Sequence, residues 1–262
     1  MQGGKEALTM LLSVKHLLSY KIEATDGQIG RVYTFLMDDE QWIVRYLVVD
    51  TGDWLPDKKV LITPSAIEDP DSRAKRLPVR LSKKQIEESP DIDTDMPVSR
   101  KEEIKLHKHY NWSPYWAGVY IPVGAPIVPL PPGLVTREEN KELKDTEAVE
   151  NTDPHLRSTK EILNYKILAE DGEIGHMEDF IVDIESWFIR YMVVDTKNWL
   201  PAKKVILSPD WIHDVSWKDT CVTVSLPKAA IESSPEYDPS APINMEYEVR
   251  LYDYYGRPKY WI

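Results

Sequence analysis

Two stretches of the chain share one rhythm of apolar and polar positions: WIVRYLVVDTGDWLPDKKVLI from Trp42 to Ile62, and WFIRYMVVDTKNWLPAKKVIL from Trp187 to Leu207. Read as a strand, the first places Trp42, Val44, Tyr46 and Val48 on one face and Ile43, Arg45, Leu47 and Val49 on the other. Both faces are largely apolar, so the strand is predicted to be covered on two sides, with KKVLI returning beside it after a loop. Upstream, Asp26-Gly27 and Asp171-Gly172 each stand between alternating segments, and Asp-Gly supplies the positive φ angles of a tight hairpin. Gly30 and Gly175 fall inside the following strand, where a missing side chain marks a bulge or sharp bend that lets a small sheet curl into a barrel. Ser13 and Ser158 read as N-caps of one or two helical turns. VRLSKKQIEESP and VSLPKAAIESSP read as a strand running into a short helix that stops at Pro90 or Pro235.

Equivalent positions lie 187 − 42 = 145 residues apart, and the offset holds without insertion from Ser13 and Ser158 through Pro90 and Pro235. The chain is therefore a duplicated unit of about five or six strands with short helices. With 262 residues and 42% hydrophobic content, it can hold two cores of roughly 75 to 100 residues each. The boundaries read as a first copy with an aromatic extension at 8–116, a linker at 117–152, and a second copy with its own aromatic extension at 153–262. The linker starts with AGVYIPVGAPIVPLPPGLV, uncharged over about the length of a membrane span. Its prolines 122, 126, 129, 131 and 132 each remove a helical hydrogen bond, so an extended connector is expected instead of a membrane helix. The charged TREENKELKDTEAVENTD continues it.

Composition narrows the partners. A formal charge of −12 opposes a phosphate backbone and argues against nucleic acid. The single cysteine, Cys221, forms no intrachain disulfide, and MQGGKEALTM lacks a basic region followed by an apolar one; the cytoplasm is the expected compartment, without membrane insertion.

The segments DGQIGRVYTFLMD, RYLVVDTG and KKVLITPSAI, with their counterparts in the second copy, resemble the hairpin, central strand and downstream strand of the PRC-barrel family. The resemblance covers about Leu12 to Pro90 and Leu156 to Pro235. It implies a mainly β fold: two tandem, small, strongly bent β-barrels with short helices, joined by the Pro-rich and charged linker. Barrels of this family occur in the cytoplasmic part of the reaction-centre H subunit and in a ribosome maturation factor. The resemblance implies docking and not catalysis, and it supplies no catalytic motif.

Individual residues carry the remaining expectations. Arg45 and Arg190 sit among apolar neighbours, and a buried guanidinium needs a partner. Asp38 or Glu40, and in the second copy Asp183 or Glu185, lie close enough through the preceding turn to form a structural ion pair. Trp54 and Trp199 occupy the loop between strands and either plug the end of the barrel or dock a partner. HYNWSPYW ends in Tyr115-Trp116 and YYGRPKYWI carries Tyr260-Trp261 at the equivalent place, and such tails should pack on their own barrel, the other copy or a second chain. His107 and His109 could share one side of a strand, although Tyr252 and Tyr254 replace them in the second copy. Asp91, Asp93 and Asp95 open like a calcium loop, but Met96 stands where that loop needs glycine. Cys221 lies in a strand pattern and reads as a packing residue. No metal, cofactor or catalytic residue is assigned.

These readings lead to a non-enzymatic protein-interaction or assembly module with an unidentified protein partner, its two barrels paired within the chain or in a homo-oligomer. The alternatives are a ribosome- or RNA-associated assembly factor and a stress-related protein binding a small ligand or ion between the barrels.

Overall fold

A computed structural model describes residues 10–94, 98–116, 155–196 and 203–261. The first copy runs β1 (Leu11–Ser13), α1 (Val14–Leu17), β2 (Lys21–Ala24), β3 (Gly27–Asp38), β4 (Ile43–Asp50), β5 (Lys59–Ile62), β6 (Arg76–Pro78) and α2 (Lys83–Glu87). The sheet order is β5-β4-β3-β2-β6, antiparallel except where β6 runs parallel to β2. The second copy repeats the plan with β7 (Leu156–Ser158), α4 (Thr159–Ile162), β8 (Lys166–Ala169), β9 (Gly172–Asp183), β10 (Ile189–Asp195), β11 (Lys204–Leu207), β12 (Ile212–Ser216), β13 (Cys221–Val224) and α5 (Lys228–Glu232). Its order is β11-β10-β9-β8-β13-β12, with β13 parallel to β8. The protein is thus mainly β, built on two mixed sheets, and neither sheet closes on itself among the described residues.

The glycines explain how the long strands bend. A Cβ on Gly30 would stand 2.0 Å from the Asp50 carbonyl oxygen, and one on Gly175 2.1 Å from that of Asp195. At both places β2–β3 or β8–β9 pairing shifts register, so the glycine lets two backbones approach where a side chain could not fit. Tyr46 to Val49 are buried without alternation, as expected for a strand covered on both sides. Trp42 does not extend that strand: it and Trp187 adopt positive φ, 54° and 61°, in the turn before β4 and β10.

The two copies are joined by exchange. β1 pairs with β9 of the second copy, Leu12 facing Val182, and β7 pairs with β3 of the first, Arg157 facing Met37. The two registers are identical after subtraction of 145. Between them, Ile43 bridges Phe188. Val44 N–H donates to Trp187 O at 2.9 Å and Ile189 N–H to Trp42 O at 2.8 Å. Trp187 packs on Phe35 and Trp42 on Phe180, both with ring centres 6.3 Å apart. Each sheet is therefore completed by a strand from the other copy, and apolar burial continues across the junction.

Each repeat is followed by an 11-residue helix that the sequence reading did not anticipate: α3 (Arg100–Tyr110) and α6 (Met245–Tyr255). Ser99 and Glu102 form a reciprocal capping box on α3, and Asn244 caps α6. His107 and His109 consequently lie on a helix, two positions apart, and not on a strand. No helix among the described residues is long and apolar enough to cross a membrane. The linker at 117–152 lies outside the described residues.

Candidate functional site

Arg45 escapes the apolar strand through a bulge. Met37 faces Val44 and Leu36 faces Tyr46, so Arg45 is the extra residue, and a bulge re-aims the side chain it carries. Its guanidinium meets the Asp38 carboxylate at 3.0 Å and donates to Gln41 Oε1 at 2.8 Å. Arg190 is bulged in the same way and meets Asp183 at 3.2 Å. Asp38 also accepts from the backbone N–H of Glu40 and Gln41. Asp183 accepts from Glu185 N–H and the Ser186 hydroxyl. Glu40 itself lies 3.6 Å from His155, and Glu185 enters only through its backbone, so the aspartates are the arginine partners in both copies.

The guanidiniums also cover the tails. Arg45 stands 4.1 Å from the Tyr115 ring centre and Arg190 4.2 Å from that of Tyr260. Beneath them lies a buried polar junction. The Glu103 carboxylate, on α3, accepts from Tyr46 at 2.9 Å and Tyr115 at 2.6 Å. Glu248, on α6, accepts from Tyr191 at 2.6 Å and Tyr260 at 2.8 Å. Both glutamates are buried, where a carboxylate is tolerated only with such donors. Central strand, helix and tail thus meet on one acidic side chain in each copy.

The copies differ around that junction. Arg100 adds a 2.7 Å ion pair to Glu103, whereas Met245 holds that position in the second copy. His107 Nε2 lies 2.7 Å from the Tyr46 hydroxyl; with the tyrosine O–H directed at Glu103, the imidazole donates to the tyrosine oxygen. Burial pushes the Glu103 carboxyl above its ordinary range, while Tyr115, Arg100 and Tyr46 pull it back. Burial lowers His107 to about 4 and raises Tyr46 and Tyr191 far above the usual phenol range. These tyrosines stay protonated and act as donors.

Of the residues singled out in the sequence, Trp116 packs at 4.7 Å from His107 with Arg100 above it at 4.4 Å, and Trp261 lies edge-on to Tyr252 at 5.2 Å. The tails therefore rest on their own copies. Trp54 is half-buried, with Lys83 Nζ 4.6 Å above its ring; Trp199 lies outside the described residues. His109 Nε2 pairs with Gln85 O at 2.7 Å. Asp91 lies 3.5 Å from Lys58, and Asp95 is outside the described residues. Among the described residues no three His, Cys, Asp or Glu side chains gather as a metal site.

Sequence reasoning missed Glu103 and Glu248, because a charged residue in a polar run reads as solvated surface. The readable signal was the spacing Ser99 to Glu102, which announces a helix and turns the next residue, Glu103, towards the sheet. The chain matches no protein-family model and no curated protein.

Proposed function

We propose that the chain is a non-catalytic docking protein, a tandem of PRC-type barrels whose two copies act as one body and present a loop to a protein partner in the cytoplasm. The observation that carries this reading is the loop from Thr51 to Lys58. It is held firmly: the Thr51 hydroxyl reaches Leu55 O at 2.7 Å and Lys58 O at 2.6 Å, and Trp54 N–H donates to Thr51 O at 3.2 Å. It nevertheless leaves Trp54 and Leu55 only partly buried, Trp54 with one side against the core and Lys83 over its ring. An ordered loop with a partly accessible aromatic and aliphatic side chain loses little entropy on binding, and tryptophan is enriched among residues that dominate interfaces. The arginines, aspartates and tyrosines of the junction serve as scaffold in this reading.

The test is affinity capture from native lysate with the intact chain and with the Trp54→Ala/Trp199→Ala variant, each with and without ribonuclease. A ribonuclease-resistant protein captured by the intact chain and lost by the folded variant supports docking. Equal capture by both, or a set of ribosomal proteins that ribonuclease removes, contradicts it.

A further inference from the structure

The two exchange seams share backbone register and differ in chemistry. Positions 15 and 160 are both lysine, as are 59 and 204. In one seam they flank the ring of Tyr33, Lys160 Nζ at 3.3 Å and Lys59 Nζ at 4.6 Å from its centre. In the other the residue equivalent to Tyr33 is Glu178, approached by Lys204 at 2.6 Å and Lys15 at 3.3 Å. Tyr33 and Glu178 are both bulge residues, so the same backbone irregularity aims them at the same lysine pair.

A groove of about 500 Å3 opens beside Glu178, between β1–α1 of the first copy and β9–β11 of the second, walled by the segment from Tyr237 to Ile243. Leu11, Leu12, Ile181, Val193 and Ile243 give it an apolar lining; at the other seam Leu12 is replaced by Arg157. At the mouth the cations stand outermost: Lys15 is 47% and Lys204 31% exposed, and His16 is exposed, whereas Glu178 is 21% exposed. Asp179 is drawn back further, at 7%, with its oxygens taken by the Ser13 hydroxyl and the N–H groups of Lys15 and Phe180. The two ammonium groups, both paired with Glu178, are thus the more exposed charges of the groove, beside its apolar bed. The volume falls in the range of small-molecule sites, which favour junctions between structural units.

We propose that this seam groove binds a small aromatic organic anion, its ring seated on the apolar bed beside Lys15 and Lys204 as Tyr33 sits beside the corresponding lysines, and its anionic group at the lysine-lined mouth. The two seams supply the argument together: one shows an aromatic ring accepted by the lysine pair, and the other sets that pair, held by Glu178 and still partly exposed, beside an open apolar groove, so that an incoming anion shares the lysines with Glu178. The inference goes beyond protein docking and stands independently of Trp54.

The test uses 8-anilinonaphthalene-1-sulfonate, an aromatic anion that fluoresces in apolar sites, with the uncharged N-phenyl-1-naphthylamine as comparator. The intact chain should bind one sulfonate dye saturably. Lys15→Glu should weaken that binding roughly tenfold, a change of about 1.4 kcal/mol, and leave the uncharged dye unaffected. Ala241→Trp and Ile243→Asp block the bed by bulk and by charge; whichever keeps the native near-ultraviolet circular dichroism should abolish binding of both dyes. Absence of saturable emission, equal affinity for the uncharged dye, or binding that persists in a folded blocking variant overturns the proposal.

Discussion

Tyr46 donates a hydrogen bond from its hydroxyl to Glu103 across 2.9 Å, 57 positions further along the chain, and so fastens a central strand to the helix that follows the repeat. Removing the hydroxyl leaves both Glu103 and His107 short of a partner in a buried place. Tyr46→Phe is expected to cost about 1–3 kcal/mol, and Tyr191→Phe a similar amount. Urea unfolding at neutral pH measures both, with the exposed Tyr33→Phe as a comparator of little effect.

Arg45 and Asp38 form a largely shielded pair, with side chains 12% and 11% exposed. Arg45→Met removes the ion pair and the cover of Tyr115, while Asp38 keeps two backbone donors. The expected loss is about 2 kcal/mol, against almost none for Glu40→Gln. Unchanged stability in Arg45→Met would show that the pair is idle.

Gly30→Ala places a Cβ 2.0 Å from the Asp50 carbonyl oxygen, and backbone must move to admit it. The expected cost exceeds the roughly 1–3 kcal/mol of ordinary overpacking. Gly52→Ala is the contrasting variant: a Cβ there meets nothing within 4 Å, and only its φ of +54° resists the change. Thermal unfolding of the two variants separates the effects.

His107 gives the first junction an acid-sensitive imidazole where the second copy has Tyr252. Its folded pKa, about 4, lies below the ordinary 6.5, so the fold favours the neutral ring; this contribution is complete above pH 6.5 and is lost as pH falls towards 4. Glu103 acts in the opposite sense, because its raised pKa favours the protonated carboxyl in the fold. His107→Gln should therefore flatten the fall in stability between pH 6.5 and 4. An unchanged pH profile would contradict the assignment.

Much of the scaffold was legible before the structure. Asp26-Gly27 marked the hairpin, Gly30 marked a bulge, where the β2–β3 register does shift, Ser13 and Ser158 do cap their short helices, and Arg45 announced a buried cation in need of an acid. Three features were not legible. α3 and α6 were hidden because their aromatic residues drew attention as tails, and His107 with His109 read as alternation. The glutamate junction was hidden because burial of Glu103 depends on hydroxyls from Tyr46 and Tyr115, remote in sequence. Exchange was hidden because LLS and LRS carry the same strand pattern whichever sheet receives them.

The central claim is that the duplicated halves form one body through exchanged strands and not merely through the covalent linker. The most direct measurement is size-exclusion chromatography of a full-length chain carrying a specific protease site within residues 117–154, before and after cleavage. The account expects the cut halves to co-elute at the volume of the uncut chain, in high salt as in low, because their junction is β-pairing and apolar packing around Trp42, Phe180, Phe35 and Trp187. Separation into two half-sized species would contradict it.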